Sequence, residues 1–235
     1  MGDYSRRQEL FRRNSGAAYS SRTLLSNLLK TDGSTVADYQ PGNYTGGLNA
    51  SAWLNSIGAA PSLAQASGAA QPTINADGSL TFDGISQYMQ MATTLAQPEV
   101  VILVGKQITW IAGKYIFDGA SVNTMGLRQF TASPDISARV ATNATADNTG
   151  FILNTKAIVT TVFNGASSYT QVNNAAAVTG TVGVGSGSGM ILGVSGDLVQ
   201  FANFQVSELI ILNAIPSAAK LANILALLNA IHRVY

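Results

Sequence analysis

Between Ser79 and Val194 the chain runs through one short apolar segment after another, and nothing there recurs at the three- and four-residue steps of a helix. The segments are Leu80–Phe82, Gln87–Met91, Glu99–Val104, Ile108–Ile111, Tyr115–Phe117, Met125–Phe130, Ile136–Ala141, Ile152–Leu153, Ile158–Phe163, Tyr169–Val172 and Met190–Val194. Asp83-Gly84, Asp118-Gly119, Asn164-Gly165 and Asn173-Asn174 stand between them as turn formers. Strands that follow one another this closely, with no crossover helix, bury their apolar faces against a second sheet. The pattern therefore predicts an all-β chain, an antiparallel sandwich of the jelly-roll kind. Glu99–Val104 holds an unbroken VVILV run and is expected at the centre of a sheet, covered on both faces.

The last third completes this domain. Phe204 and Val206 alternate with Gln205 and Ser207 before Leu209–Leu212 runs continuously apolar, which reads as a closing strand. Pro216 and Ser217 break it, and Leu221, Ile224, Leu225, Leu228 and Ile231 then mark the apolar stripe of a short C-terminal helix.

The first 78 residues read differently. Arg6, Arg7, Arg12 and Arg13 surround Leu10 and Phe11, and Leu24, Leu25, Leu28 and Leu29 form a second apolar face stopped by Thr31-Asp32-Gly33. Residues 1–30 hold six basic groups against Asp3 and Glu9, a net of +4. The other seven basic and ten acidic groups give the body −3. A basic arm on an acidic body suits an interaction tail. We therefore expect residues 1–45 to be an extended or helical anchoring arm and 46–235 the sandwich. The anchors would be Arg6, Arg7, Leu10, Phe11, Arg12, Arg13, Leu24, Leu25, Leu28 and Leu29. Residues 33–78, rich in Gly, Pro, Ala and Ser, are expected to run irregularly along the domain surface, pinned by Trp53.

The order of signals from 46 to 235 resembles the laminin G-like branch of the concanavalin A-like lectin and glucanase jelly rolls. Trp53 and the stretch ending at Gln71-Pro72 look like its opening segment. Phe82-Asp83-Gly84 with Tyr88 looks like its first hairpin, and Val159–Ala166 resembles its strand and turn. Phe201–Leu228 resembles its closing strand and helix, with Glu208 at the acidic position. Two residues depart from that pattern. Asn174 replaces the glycine of the second turn, and Asn203 stands where a glycine commonly precedes the last strand.

Site chemistry is sparse. Glycosidases of the resembled fold carry Glu-x-Asp-x-x-Glu on one strand, so that acid and nucleophile share a face. Beyond the arm the glutamates are Glu99 and Glu208, in no such motif, and the reading is no enzyme. The chain has no Cys and a single His, His232, so no zinc set or triad can be assembled, and no cofactor is expected. No metal is expected either: the resemblance suggests Asp83 and Asp118 as calcium ligands at a rim, but both precede Gly in turns and are read first as turn formers. Tyr88, Trp110, Tyr115 and Tyr169 are the candidate glycan contacts, since sugar faces stack on rings. The Gly-rich run 180–196 fits no phosphate-binding loop.

MGDYSRRQELFRRN lacks the apolar core of a signal peptide, and polar residues interrupt the apolar stretch 209–231 too often for a membrane span. Together these features suggest a structural protein of a bacteriophage particle, a capsid decoration or head-fibre type located in the virion. Its arm would dock on other virion proteins of the shell, in many copies or as a homo-oligomer. Neither membrane nor nucleic acid is expected as a partner, and host-surface glycans are a secondary candidate. The alternative is a carbohydrate-binding adhesin or lectin module of a phage tail or bacterial surface.

Overall fold

The computed structural model describes residues 20–121 and 124–235. The chain is an all-β sandwich with a short C-terminal helix, as expected. Glu99–Gln107 is the central strand, paired antiparallel to Ala157–Phe163 on one side and Asn203–Leu212 on the other. Its alternating side chains explain the unbroken apolar run. Val101 and Leu103 face the sandwich interior beside Val159, Leu209 and Ile211, while Val100, Ile102 and Val104 face the opposite way with Ile158, Val162, Ile210 and Leu212.

The hydrogen-bonded ladder is continuous through sixteen strands. It passes from Asn203–Leu212 to Thr35–Gly46 and Ala50–Asn55, where the register shifts between Tyr39 and Tyr44 and the sheet bends. From there it continues through Leu63–Ala64, Met89–Met91, Met190–Leu192, Tyr115–Gly119, Gly126–Gln129, Ile136–Val140 and Asn143–Ala144. The two halves face each other across one core. Phe117 of the second half meets Phe163 of the first edge-on, with ring centroids 6.3 Å apart. Trp53 is fully buried at the bend between Tyr39 and Tyr44, each 5.6 Å away, and its Nε1 donates to the Gln40 carbonyl at 2.7 Å. Phe82 and Phe204, cross-strand partners, stack at 4.8 Å.

The outer face of the first half lies under two helices. Ala218–His232 starts at Ser217, whose hydroxyl accepts from the Lys220 amide. Residues 20–30 form the other helix. Leu25, Leu29, Ile224 and Leu228 are fully buried against the sheet, with Leu225 nearly so. Position 45, where the sequence suggests a division, lies within the Thr35–Gly46 strand, and the chain from residue 20 onward packs on the sandwich.

Several local expectations are corrected. Residues 33–78 are not irregular, because Ala37, Tyr39, Ala50 and Trp53 bury themselves from two strands in spite of the intervening Pro and Gly. Ile108–Ile111 is a loop, since the Ile108 and Thr109 amides both turn to the Asn203 carbonyl. Ile152–Leu153 lies in a turn. Asp118-Gly119 is no hairpin turn. It ends the Tyr115–Gly119 strand, paired with Met190 and Ile191.

Candidate functional site

At one end of the sandwich, three loops that are remote in sequence enclose a cleft of about 170 Å³. The turn Asp83-Gly84-Ile85 forms one wall. Thr109, Ile111 and Lys114 form another, Phe201 and Asn203 a third, and Gln129 lies beneath. Gly84 sits at φ 75° with no room for a side chain, since a Cβ there would lie 2.8 Å from that of Asn203. Glycine at this position is what lets the turn close on the start of the last strand.

The carboxylate of Asp83 is consumed by its own turn. Oδ1 accepts from the amides of Ile85, Ser86 and Gln87 at 2.8, 2.9 and 3.0 Å, and Oδ2 accepts from the Ser86 hydroxyl at 3.1 Å. Burial pushes its pKa up, but these donors outweigh burial and hold it below the ordinary carboxylate range. Gln129 is equally committed. Its Nε2 donates to Gln107 Oε1 and the Thr109 carbonyl at 2.7 and 2.8 Å, and its Oε1 accepts from the Ile111 amide at 3.1 Å. It fixes the floor of the cleft and the loop above it.

The remaining walls are uncommitted. The side chains of Asn203, Thr109 and Lys114 make no hydrogen bond or ion pair with any described residue. Beside them lie the half-buried ring of Phe201, tilted 6.4 Å from Tyr88, and the exposed Ile85 and Ile111. A planar amide, a hydroxyl and an ammonium, all unused and next to apolar surface, suit a ligand with one apolar face and many hydroxyls.

Two other depressions offer less chemistry. One of about 480 Å³ is lined mainly by small side chains, among them Ala64, Ala66, Ala92 and Ala120, with neither an aromatic ring nor a charge. The other, of about 380 Å³, is an apolar groove between the helices, bounded by Leu24, Leu28 and Leu227.

The sequence-predicted residues scatter across these places. Tyr88 backs the cleft through Phe201. Trp110 sits between two cleft residues with its Nε1 donating to the Asp135 carbonyl at 2.9 Å. Tyr115 is buried and so is not a surface contact, and Tyr169 packs on the helix-covered face. Asp118 is fully buried, its carboxylate accepting from the amides of Gly119 and Gly196 at 2.9 and 3.1 Å. The carboxylates of Asp118 and Asp83 are both taken up by backbone amides, and among the described residues no group of three His, Cys, Asp or Glu side chains is arranged to hold a metal ion. Leu25 and Leu29 are buried in the protein's own core, which rules them out as anchors for a partner, while Leu24 and Leu28 border the groove. Arg6, Arg7, Leu10, Phe11, Arg12 and Arg13 lie outside the described residues. Sequence reasoning missed Phe201, Thr109 and Lys114. Asn203 alone carried a signal, its replacement of a glycine.

No protein-family profile matches the chain, and no curated protein matches it. Solved structures do share its fold. A Trypanosoma rangeli sialidase mutant with trans-sialidase activity superimposes with a TM-score of 0.62 at 10% identity, covering 91% of this chain and 38% of the sialidase. The chain thus spans well under half of that enzyme. Domain 4 of AbnA, a GH43 extracellular arabinanase from Geobacillus stearothermophilus solved with arabinotriose, matches at 0.59 and 14% identity, over 81% of this chain and 97% of that domain. A GH54 α-L-arabinofuranosidase matches at 0.56 and 12%, over 88% and 65%.

These neighbours correct two expectations. They are domains of glycoside-hydrolase chains, not components of a bacteriophage shell, and the carbohydrate-binding alternative fits them better. A reading of no enzyme does not stand either, against solved neighbours that come from such chains. The antiparallel jelly-roll part of the resemblance holds.

Proposed function

We propose that this chain is a carbohydrate-binding β-sandwich and that the cleft between Asp83, Lys114 and Asn203 is its site. The observation that carries the reading is the set of uncommitted side chains there, Asn203, Thr109 and Lys114, beside Phe201 and two exposed isoleucines. A sugar ring lays its C–H face on Phe201 and Ile111 while its hydroxyls exchange hydrogen bonds with Asn203 and Thr109. The arabinotriose held by a domain of nearly the same extent supports the class of ligand. The affinity to the laminin G-like branch is our reading from four motifs in order. Screening the purified protein against neutral and acidic oligosaccharides tests the proposal. Binding that is weakened at least tenfold by Asn203→Ala, with the fold intact, supports it. Binding untouched by Asn203→Ala and Phe201→Ala, or none to any saccharide, refutes it.

A further inference from the structure

We propose that the cleft selects saccharides carrying a negative charge, with Lys114 as the discriminating residue. This inference rests on the carbohydrate-binding reading of the same site. Among the described residues the cleft is lined by two ionisable groups, Asp83 and Lys114. Their charges are not equally available. The carboxylate of Asp83 spends its lone pairs on four donors from its own turn, which solvate its charge without cancelling it.

The Lys114 ammonium makes no hydrogen bond or ion pair with a described residue, and the backbone beneath it is fixed. Its amide donates to the Ile111 carbonyl at 3.2 Å, and its carbonyl accepts from the Gln129 amide at 2.8 Å. A half-buried ammonium on an anchored backbone leaves one cation at the cleft whose donors are unused. A neutral sugar leaves that ammonium to water. A sugar carboxylate or sulfate meets it with a charge-assisted hydrogen bond, and a lysine accepts either anion because it makes no bidentate demand. Asn203 and Thr109 then serve the hydroxyls shared by charged and neutral rings.

The test measures affinities of matched probes for the intact chain: lactose, 3′-sialyllactose and 3′-sulfated lactose, and galactotriose against trigalacturonic acid. The acidic member of at least one pair should bind about tenfold more tightly, the size of one charge-assisted contact. That preference should shrink as salt is raised toward 1 M. Lys114→Gln should bring acidic and neutral members within about twofold of each other, Lys114→Arg should restore the preference, and Asn203→Ala should weaken both members alike. The carboxylate and sulfate arms tell which anion is taken. Equal binding of acidic and neutral probes to the wild type, or an acidic preference that survives Lys114→Gln, overturns charge selection and leaves carbohydrate binding standing. Failure of every probe to bind overturns the underlying reading and this inference with it.

Discussion

The helix-covered face and the end cleft each gather polar side chains, and they treat them in opposite ways. On the helix-covered face a register shift after Val206 turns Glu208 toward the helices. There Arg22 holds it with two bonds of 2.5 and 2.7 Å, and His232 Nε2 lies 2.5 Å from its second oxygen. Burial pushes the Glu208 pKa up, but His232 and Arg22 outweigh it and leave the carboxyl below the ordinary range. The cluster ties the helix at 20–30, the closing strand and the C-terminal helix into one layer, and its members answer one another. In the cleft the structural groups, Asp83 and Gln129, are likewise satisfied, but Asn203, Thr109 and Lys114 are not. The difference separates polar groups that hold the fold from those left over for a ligand.

Breaking the satisfied side should have the largest effect. Removing one partner of a buried pair costs about 3–5 kcal/mol, and Arg22 keeps some solvent contact, so Arg22→Ala should destabilise by about 3 kcal/mol in chemical denaturation. The depressed pKa of Glu208 makes its contribution present above the ordinary carboxylate range and lost as pH falls through the lower folded value, so Arg22→Ala should also lessen the loss of stability in acid. Leu29→Ala, at a fully buried position, should cost about 2–5 kcal/mol, against less than about 0.5 for the exposed Leu24→Ala.

Glu99 belongs to neither region. It is buried at the start of the central strand with no hydrogen-bond partner for either oxygen, and burial pushes its pKa up to about 8. Asp38, beside the Glu208 cluster, is raised to about 7 by burial and then by the charge of Glu208. Both groups hold their protons longer folded than unfolded, so stability should fall as pH rises from the ordinary carboxylate range through about 7 and then about 8. Glu99→Gln should remove the later part of that decline, raising stability by about 1–3 kcal/mol at pH 9 and by less at pH 5, read from melting curves. On the uncommitted side, Asn203→Ala and Phe201→Ala should leave the melting temperature within about 2 °C of wild type while weakening saccharide binding about tenfold.

Much of the fold was legible because the strand period and the turn dipeptides are local signals. Glu99–Gln107, Ala157–Phe163 and Ala218–His232 sit where the pattern places them. The strand Thr35–Gly46 was not, since Pro41 and Gly42 mask the alternation that buries Ala37 and Tyr39. The cleft was barely legible. Its walls lie at 83–85, 109–114 and 201–203, and only the pairing of Asn203–Leu212 with Leu80–Asp83 and with Glu99–Gln107 brings them together. Aromatic rings signal stacking in a sequence, but burial claims Tyr115 and a carbonyl claims the Trp110 nitrogen. The ring that faces the cleft, Phe201, backed by Tyr88, is placed there only by the tertiary structure.

The most direct test of this division is a titration of the isotope-labelled protein with 3′-sialyllactose and with arabinotriose, followed by amide chemical shifts. The account predicts shifts that concentrate at 83–87, 109–114 and 201–203, with the helices at 20–30 and 218–232 unmoved. Shifts centred on those helices or on the alanine-lined depression around Gln90, with the cleft silent, would contradict it.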